Sequence, residues 1–225
     1  MCGIFASYGI SNKKQILHYL KKITQRGKDT FGISLINSNP KNFYSSYNNL
    51  NLKRIVSDNE INDKTLIIAN SRLITNGSNS KNTQPIVNEG NCLVHNGIII
   101  DLSDFNANSL ELDQDVFSDT RKLLNKLIEF QKISEGEKKL EDYLNSLTGE
   151  INIVLYNSDN KKLYYYTNNG SLYIKEDSQN FLILSEKEFF LKKDLTNVKQ
   201  VKKNILNFKF FETNLKLSDQ KNYTK

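Results

Sequence analysis

A cysteine stands at position 2, directly after the initiator methionine, in the opening run Met1-Cys2-Gly3-Ile4-Phe5. Removal of Met1, which a side chain as small as that of cysteine permits, leaves a thiol and a free α-amine on one residue. An α-amine titrates near pH ~8, so close to neutrality it can take the thiol proton directly or through one water. Cys2 then supplies both nucleophile and general base. The plainer alternative is a small apolar side chain opening a buried strand, which is what a free cysteine usually is. The second cysteine, Cys92, lies three residues before His95, and the pair invites a Cys/His nucleophile reading. Strand alternation puts residues an odd number apart on opposite faces, so both are read as structural. His18 is read as a surface or packing residue. No metal-ligand cluster and no cofactor motif are expected.

The elements that must carry these residues follow from patterning. Residues 2–8 read as a buried opening strand. Ser11 is placed to cap a helix over about 12–25, whose apolar face is Ile16, Leu17, Leu20 and Ile23, with Gly27 as its C-terminal stop. Gly32–Ile36 alternates as a strand. Residues 38–60 read as hairpin and surface loop, with a short strand at Phe43–Tyr47. Lys64–Asn70 is strongly β-like and delivers Ser71-Arg72 to a strand end. The stretch Asn76–Pro85 has the composition of a mobile loop. Asn91–His95 reads as a central strand running into Asn96-Gly97, which taken alone is a type I′ hairpin turn.

Helices are predicted over about Asp119–Gln131, capped by Ser118 or Asp119, and over Glu137–Ser146. Beyond Gly149 the chain is nearly all β, with short strands at 150–156, 162–167, 172–174, 181–184 and about 205–211, and a polar tail from about 213. Pattern alone yields an α+β class.

Size and charge narrow the function classes. A chain of 225 residues fits one domain with a core that needs no staples, and residues 1–225 are read as one. Two cysteines and the absence of a signal-peptide pattern point to a reducing, cytoplasmic setting. No apolar run approaches the ~18–20 residues of a membrane span. The net charge of +6 comes from lysines scattered among acids, without a nucleic-acid-binding motif, so neither nucleic acid nor membrane is an expected partner.

Five blocks in fixed order carry a specific resemblance: Met1–Phe5, Arg26-Gly27-Lys28-Asp29, Ser71–Gly77, His95-Asn96-Gly97 and Ser118-Asp119-Thr120. Over nearly its whole length the chain resembles the class II glutamine amidotransferase domain, an N-terminal-nucleophile glutaminase. It is nearest in motif to the glutaminase half of glucosamine-6-phosphate synthase. The resemblance implies a four-layer αββα sandwich of two mainly antiparallel sheets.

It also implies a reaction, glutamine plus water giving glutamate and ammonia through a thioester on Cys2. Asn96 and the Gly97 backbone N–H would form the oxyanion hole. Arg72 would grip the substrate α-carboxylate with help from Thr75 and Asn76, and Asp119 would hold the α-ammonium. The turn at Arg26 and Gly27 would close over the site. Leu73, Asn76 and Lys28 depart from the sugar synthases, which carry tryptophan, histidine and tyrosine there. The expected partner is a separately encoded synthase, of the sugar-phosphate isomerase type, that accepts the ammonia. Two other readings stand beside this one: a non-catalytic homologue that regulates or scaffolds a synthase, and an amide hydrolase with another substrate.

Overall fold

The computed structural model describes residues 2–38, 40–46, 51–73, 82–100, 118–132, 135–178 and 180–211. Its strands form two antiparallel sheets. The first runs in the order β11 (Lys199–Gln200), β9 (Tyr173–Glu176), β10 (Phe181–Leu184), β1 (Gly3–Tyr8), β4 (Leu66–Arg72), β2 (Thr30–Ile36), β3 (Lys41–Ser46). The second runs β12 (Asn207–Phe210), β8 (Lys162–Thr167), β7 (Gly149–Asn157), β6 (Asn91–Ile99), β5 (Ile86–Asn88). The opening strand β1 is thus interior, paired with β10 on one side and β4 on the other.

Strand alternation explains the layering. Ile4, Ala6, Leu66 and Ile68 of the first sheet meet Cys92, Val94, Val154 and Tyr156 of the second in a core between the sheets. The intervening residues Phe5, Ile33, Ile67 and Ala69 face outward, under α1 (Lys13–Ile23) and α2 (Leu52–Asp58). On the far side, Leu93, Ile151, Ile153 and Leu155 lie under α3 (Asp119–Gln131) and α4 (Gly136–Ser146). Both faces of the central strands are therefore buried, and each fully buried Ile, Leu or Phe contributes roughly 1.5–3 kcal/mol. The expected αββα sandwich of two antiparallel sheets is what the chain forms. Among the described residues no helix is long and apolar enough to cross a membrane.

Several local expectations are corrected. The cap of α1 is Asn12 rather than Ser11: its Oδ1 accepts from the N–H groups of Lys14 and Gln15 at 3.0 and 3.1 Å. Such a cap is worth about 1 kcal/mol. That helix ends at Ile23, before Gly27. The region expected as loop contains α2, short enough that only Leu52 and Val56 mark its buried face. Asn96-Gly97 is not a turn, because β6 continues through it to Ile99 with β7 paired opposite throughout. The chain reversal lies upstream, where Asn88 pairs with Asn91 and the two loop residues Glu89 and Gly90 have φ of 43° and 69°. Two positive φ angles in a two-residue loop define the type I′ hairpin. The helix over Asp119–Gln131, by contrast, has the bounds read from sequence, with Ser118 as its cap.

Candidate active site

At one end of the inter-sheet layer the side chains change from apolar to polar. The strand face that carries Ile68 goes on to Asn70 and Arg72; that of Val94 goes on to Asn96, that of Val154 to Asn152, and that of Ile183 to Ser185. All of these are buried. Cys2, 8% exposed, opens β1 at the same end. Its backbone nitrogen donates to Asn96 Oδ1 at 2.8 Å across the two sheets. In the full chain that nitrogen is the Met1–Cys2 peptide nitrogen, and once Met1 is removed it is the α-amine. Its sulfur lies 3.9 Å from the Leu73 carbonyl oxygen. Burial pushes the Cys2 thiol up, against the lowering effects of the Leu73 contact, the positive charge of the chain's amino terminus and Arg72. A thiol held protonated in this way needs a base before it can act as a nucleophile, and removal of Met1 would turn the nitrogen beside it into an amine able to serve as one.

Asn96 is fixed from two directions. Its backbone carbonyl accepts from Asn152 Nδ2 at 2.8 Å, and Asn152 Oδ1 accepts from the Thr167 hydroxyl at 2.6 Å. With its own Oδ1 turned to Cys2, the amide presents Nδ2 as a donor. Gly97 follows at φ +150°, where a Cβ would stand 1.7 Å from the Glu150 carbonyl oxygen. Only glycine lets β6 and β7 pass this closely here.

Arg72 ends β4, 4% exposed. Its Nη1 donates to the Asn82 carbonyl at 3.2 Å, and Asn82 Oδ1 accepts from the Ser118 N–H at 3.3 Å. Asn82 thereby links the arginine to the start of α3, where Asp119 sits. Burial lowers the Arg72 pKa from its ordinary value, while Cys2 and the carboxylates of Asp119 and Asp29 oppose that change. Asp119, 9% exposed, accepts from the Ile99 N–H at 3.2 Å and the Thr120 N–H at 2.8 Å. One buried cation and one buried carboxylate thus flank the thiol, the pairing that a zwitterionic α-amino acid requires.

Arg26 and Gly27 serve this end from behind. Arg26 Nη1 meets the Glu186 carboxylate and lies 3.5 Å from the Ser185 carbonyl, while Ser185 Oγ accepts from the Ile4 N–H at 3.2 Å. A Cβ on Gly27 would fall 2.4 Å from the Ser71 carbonyl oxygen, so the glycine is needed for close passage beside β4 and not as a helix stop. The Ser71 hydroxyl donates to the Gly27 carbonyl, and Asp29 N–H donates to the Arg72 carbonyl at 3.0 Å. Thr75 and Asn76, also expected here, lie outside the described residues, as does 76–81 of the expected loop.

Cys92 and His95 occupy opposite faces of β6, as alternation predicts. Cys92 is in the inter-sheet core, its thiol pushed up to about 12 by burial. His95 faces α3, with Nδ1 3.2 Å from Thr120 Oγ1 and 3.9 Å from Asp119 Oδ2. Sequence reading found no group to orient this histidine. It also missed Gln84, Asn82, Asn152 and Thr120, whose only sequence signal was the place of Thr120 beside Asp119 in the fifth block.

Comparison with known proteins finds relatives in sequence and in fold. The family model described as "Glutamine amidotransferase domain" matches residues 70–192. Glutamine–fructose-6-phosphate aminotransferase (isomerizing) of Helicobacter pylori is 31% identical over 179 residues, 76% of this chain and 30% of that protein. The Staphylococcus aureus protein of the same name is 26% identical over 178 residues, with the same two shares, 76% and 30%. This chain therefore spans under a third of the length of these relatives. In fold it is similar to glutamine phosphoribosylpyrophosphate amidotransferase from B. subtilis, with a TM-score of 0.67 and 16% identity over 95% of this chain and 50% of that one. It is likewise similar to the allosteric regulatory enzyme of purine biosynthesis, with a TM-score of 0.63 and 19% identity over 89% and 44%. The match of that family model to over half of the chain, in a two-sheet sandwich that buries Cys2 against Asn96, places this chain in the glutamine amidotransferase family, in its class II, N-terminal-nucleophile branch.

Proposed function

We propose that residues 1–225 act as one glutaminase domain that hydrolyses glutamine at Cys2 and passes the ammonia to a synthase carried on a separate chain. The observation that carries this reading is the 2.8 Å bond from Cys2 N to Asn96 Oδ1. It holds the future amine beside the thiol and leaves the Asn96 Nδ2 donor facing the reacting centre.

The steps follow from these groups. Arg72 pairs with the α-carboxylate of glutamine and Asp119 with its α-ammonium, and Thr75 and Asn76 add neutral hydrogen bonds. The Cys2 amine takes the thiol proton as sulfur attacks the side-chain amide carbon. The resulting oxyanion is met by Asn96 Nδ2 and the Gly97 N–H, donors each worth about 3–4 kcal/mol in the transition state. The amine then protonates the departing nitrogen, and ammonia leaves a γ-glutamyl thioester. Water, deprotonated by the same amine, attacks the thioester and releases glutamate and the free thiol. No metal or cofactor has a role in this sequence. Arg26 and Gly27 hold the strand ends in place from behind the site.

Ammonia released into water at neutral pH protonates and is lost as a nucleophile, so productive use requires transfer to a docked acceptor. The His95-Asn96-Gly97-Ile98-Ile99 stretch and the names of the curated relatives support a sugar phosphate as that acceptor, with a sugar-phosphate isomerase type of synthase in the cytoplasm as partner. The test uses protein purified from its native host. Intact mass should show loss of Met1, and glutamate should be released from glutamine. A diazoketone analogue of glutamine should label Cys2 and spare Cys92. Captured synthase and fructose 6-phosphate should accelerate glutamine turnover. Substantial turnover by Cys2→Ala would overturn the mechanism; full-speed turnover that ignores every partner and sugar would overturn the transfer.

A further inference from the structure

His95 is 2% exposed and sits in a ring of hydrogen bonds whose directions can be assigned from chemistry. Its Nε2 lies 3.3 Å from the Glu150 carbonyl oxygen, which only accepts, so Nε2 carries the hydrogen and Nδ1 the lone pair. Thr120 Oγ1, 3.2 Å from Nδ1, must then donate to it. The same oxygen accepts from Gln84 Nε2 at 3.0 Å, and Gln84 Oε1 accepts from the His95 N–H at 2.6 Å. The ring closes with every donor matched to an acceptor. As a result the Thr120 hydroxyl hydrogen points at His95 and away from Asp119 Oδ1, which lies 3.4 Å from that oxygen. The imidazole lone pair, 3.9 Å from Asp119 Oδ2, places no hydrogen on the carboxylate either.

We propose that His95 is a positioning residue for glutamine: held neutral, it keeps the Thr120 hydroxyl hydrogen off the Asp119 carboxylate, which is then held by the backbone N–H groups of Ile99 and Thr120 alone and stays open to the substrate α-ammonium. This rests on the assignment of Asp119 as the ammonium ligand. Protonation at Nδ1 would reverse the Thr120 hydroxyl onto Asp119 Oδ1, or draw Asp119 Oδ2 to the imidazolium, and either change competes with the substrate. The groups facing His95 are Asp119 and Thr120 from α3, Gln84 from the turn before β5, the Glu150 carbonyl from β7 and Arg72 from β4. Burial lowers its pKa from the ordinary imidazole value, with Arg72 assisting and Asp119 and the Glu150 carbonyl opposing. It is therefore neutral at pH 7, and the competing state appears only on acidification.

The experiment measures steady-state kinetics of the full, naturally processed chain with glutamine and with 4-carbamoylbutanoate, the analogue that lacks the α-amine. His95→Leu, which frees the Thr120 hydroxyl to turn onto Asp119, should raise the KM for glutamine about tenfold with kcat nearly unchanged and leave the analogue unaffected. Thr120→Val, with no hydroxyl to turn, should stay near the parent and should reverse the rise when combined with His95→Leu. His95→Asn, whose Oδ1 can accept from Thr120 but cannot titrate, should keep a near-parent KM at pH 7 and lose the rise in glutamine KM expected of the parent on acidification. Asp119→Asn is the control for the underlying assignment. If it abolishes the preference for glutamine over the analogue while His95→Leu does not weaken that preference, the role of His95 is overturned and Asp119 stands. If Asp119→Asn leaves the preference intact, the Asp119 assignment falls and the inference with it. Thermal melts identify any variant that fails to fold, and a KM for His95→Leu/Thr120→Val as high as that of His95→Leu would also overturn the role of the hydroxyl.

Discussion

Cys2 and Asn96 are 94 positions apart, yet the backbone nitrogen of one lies 2.8 Å from the side-chain oxygen of the other. The bond crosses from the first sheet to the second and joins the residue with the nucleophile to the residue that can stabilise an oxyanion. An amide side chain suits this place because one end accepts and the other donates.

Replacing Asn96 should therefore separate those two uses. Asn96→Ala should lower kcat by about 10²–10³-fold with little change in KM, since the oxyanion exists only past the ground state. Asn96→Asp keeps the acceptor for Cys2 N but has no donor, and should lose a similar factor in kcat. Stopped or steady-state ammonia release at saturating glutamine measures both. A near-parent kcat for Asn96→Asp would show that donation from this side chain is not used.

Arg72→Lys should act on binding instead. A lysine loses the two-pronged fit to a carboxylate and the link to the Asn82 carbonyl. The glutamine KM is expected to rise about ten- to a hundredfold, with kcat within about threefold of the parent. A fall in kcat at unchanged KM would place Arg72 at the reacting centre rather than at the α-carboxylate.

Gly97→Ala is a test of the strand geometry. The new methyl would begin 1.7 Å from the Glu150 carbonyl oxygen at a φ of +150°, where a side chain alone costs about 1–3 kcal/mol. The steric conflict is with backbone and adds to that. A chain of this size loses about 2–4 °C of Tm per kcal/mol, so a drop of at least about 5 °C is expected by calorimetry. A Tm within 1 °C or so of the parent would mean that β6 and β7 readily separate here.

Far from the site, Asp194 provides a pH prediction. Its carboxylate accepts from the Tyr19 hydroxyl at 2.6 Å, Lys175 Nζ at 2.8 Å and Gln15 Nε2 at 3.1 Å. Burial opposes ionisation, but the Lys175 and Tyr19 hydrogen bonds and the charges of Lys175 and Lys193 outweigh it and hold the pKa below the usual carboxylate value. A depressed folded-state pKa gives stability that is present above the unfolded value of about 3.9 and is lost as pH falls through the folded one. Urea melts should show the parent weakening below about pH 4. Asp194→Asn should be less stable at pH 7 by roughly 1–3 kcal/mol and flatter across the acid range. Identical acid limbs for parent and variant would count against this anchor.

How much of this was legible beforehand depends on the range over which each signal acts. Residues 119–131 form a helix in the structure with the bounds read from sequence, because the Ser118 cap and the spacing of Leu123, Leu124, Leu127 and Ile128 are local. The strands at 162–167 and 181–184 likewise emerged with the bounds read from their own composition. Cys2, Arg72, Asn96 and Asp119 were nominated by residue type and ordered motifs, and the structure brings them to one end of the inter-sheet layer.

Tertiary structure decided the rest wherever a distant partner outweighed a local preference. Asn96-Gly97 has the strongest hairpin composition in the chain, but β7 pairs with both residues and holds the strand straight, while Glu89-Gly90 makes the reversal. Gly27 looked like a helix stop and is instead a point of close approach to Ser71. His95 had no orienting group within its own stretch, since Gln84, Thr120 and Glu150 come from three other segments. Local sequence determines which segments become helix or strand and which residue types are on offer. Hydrogen bonds between segments scores of residues apart determine which of those residues meet, and no local pattern encodes that distance.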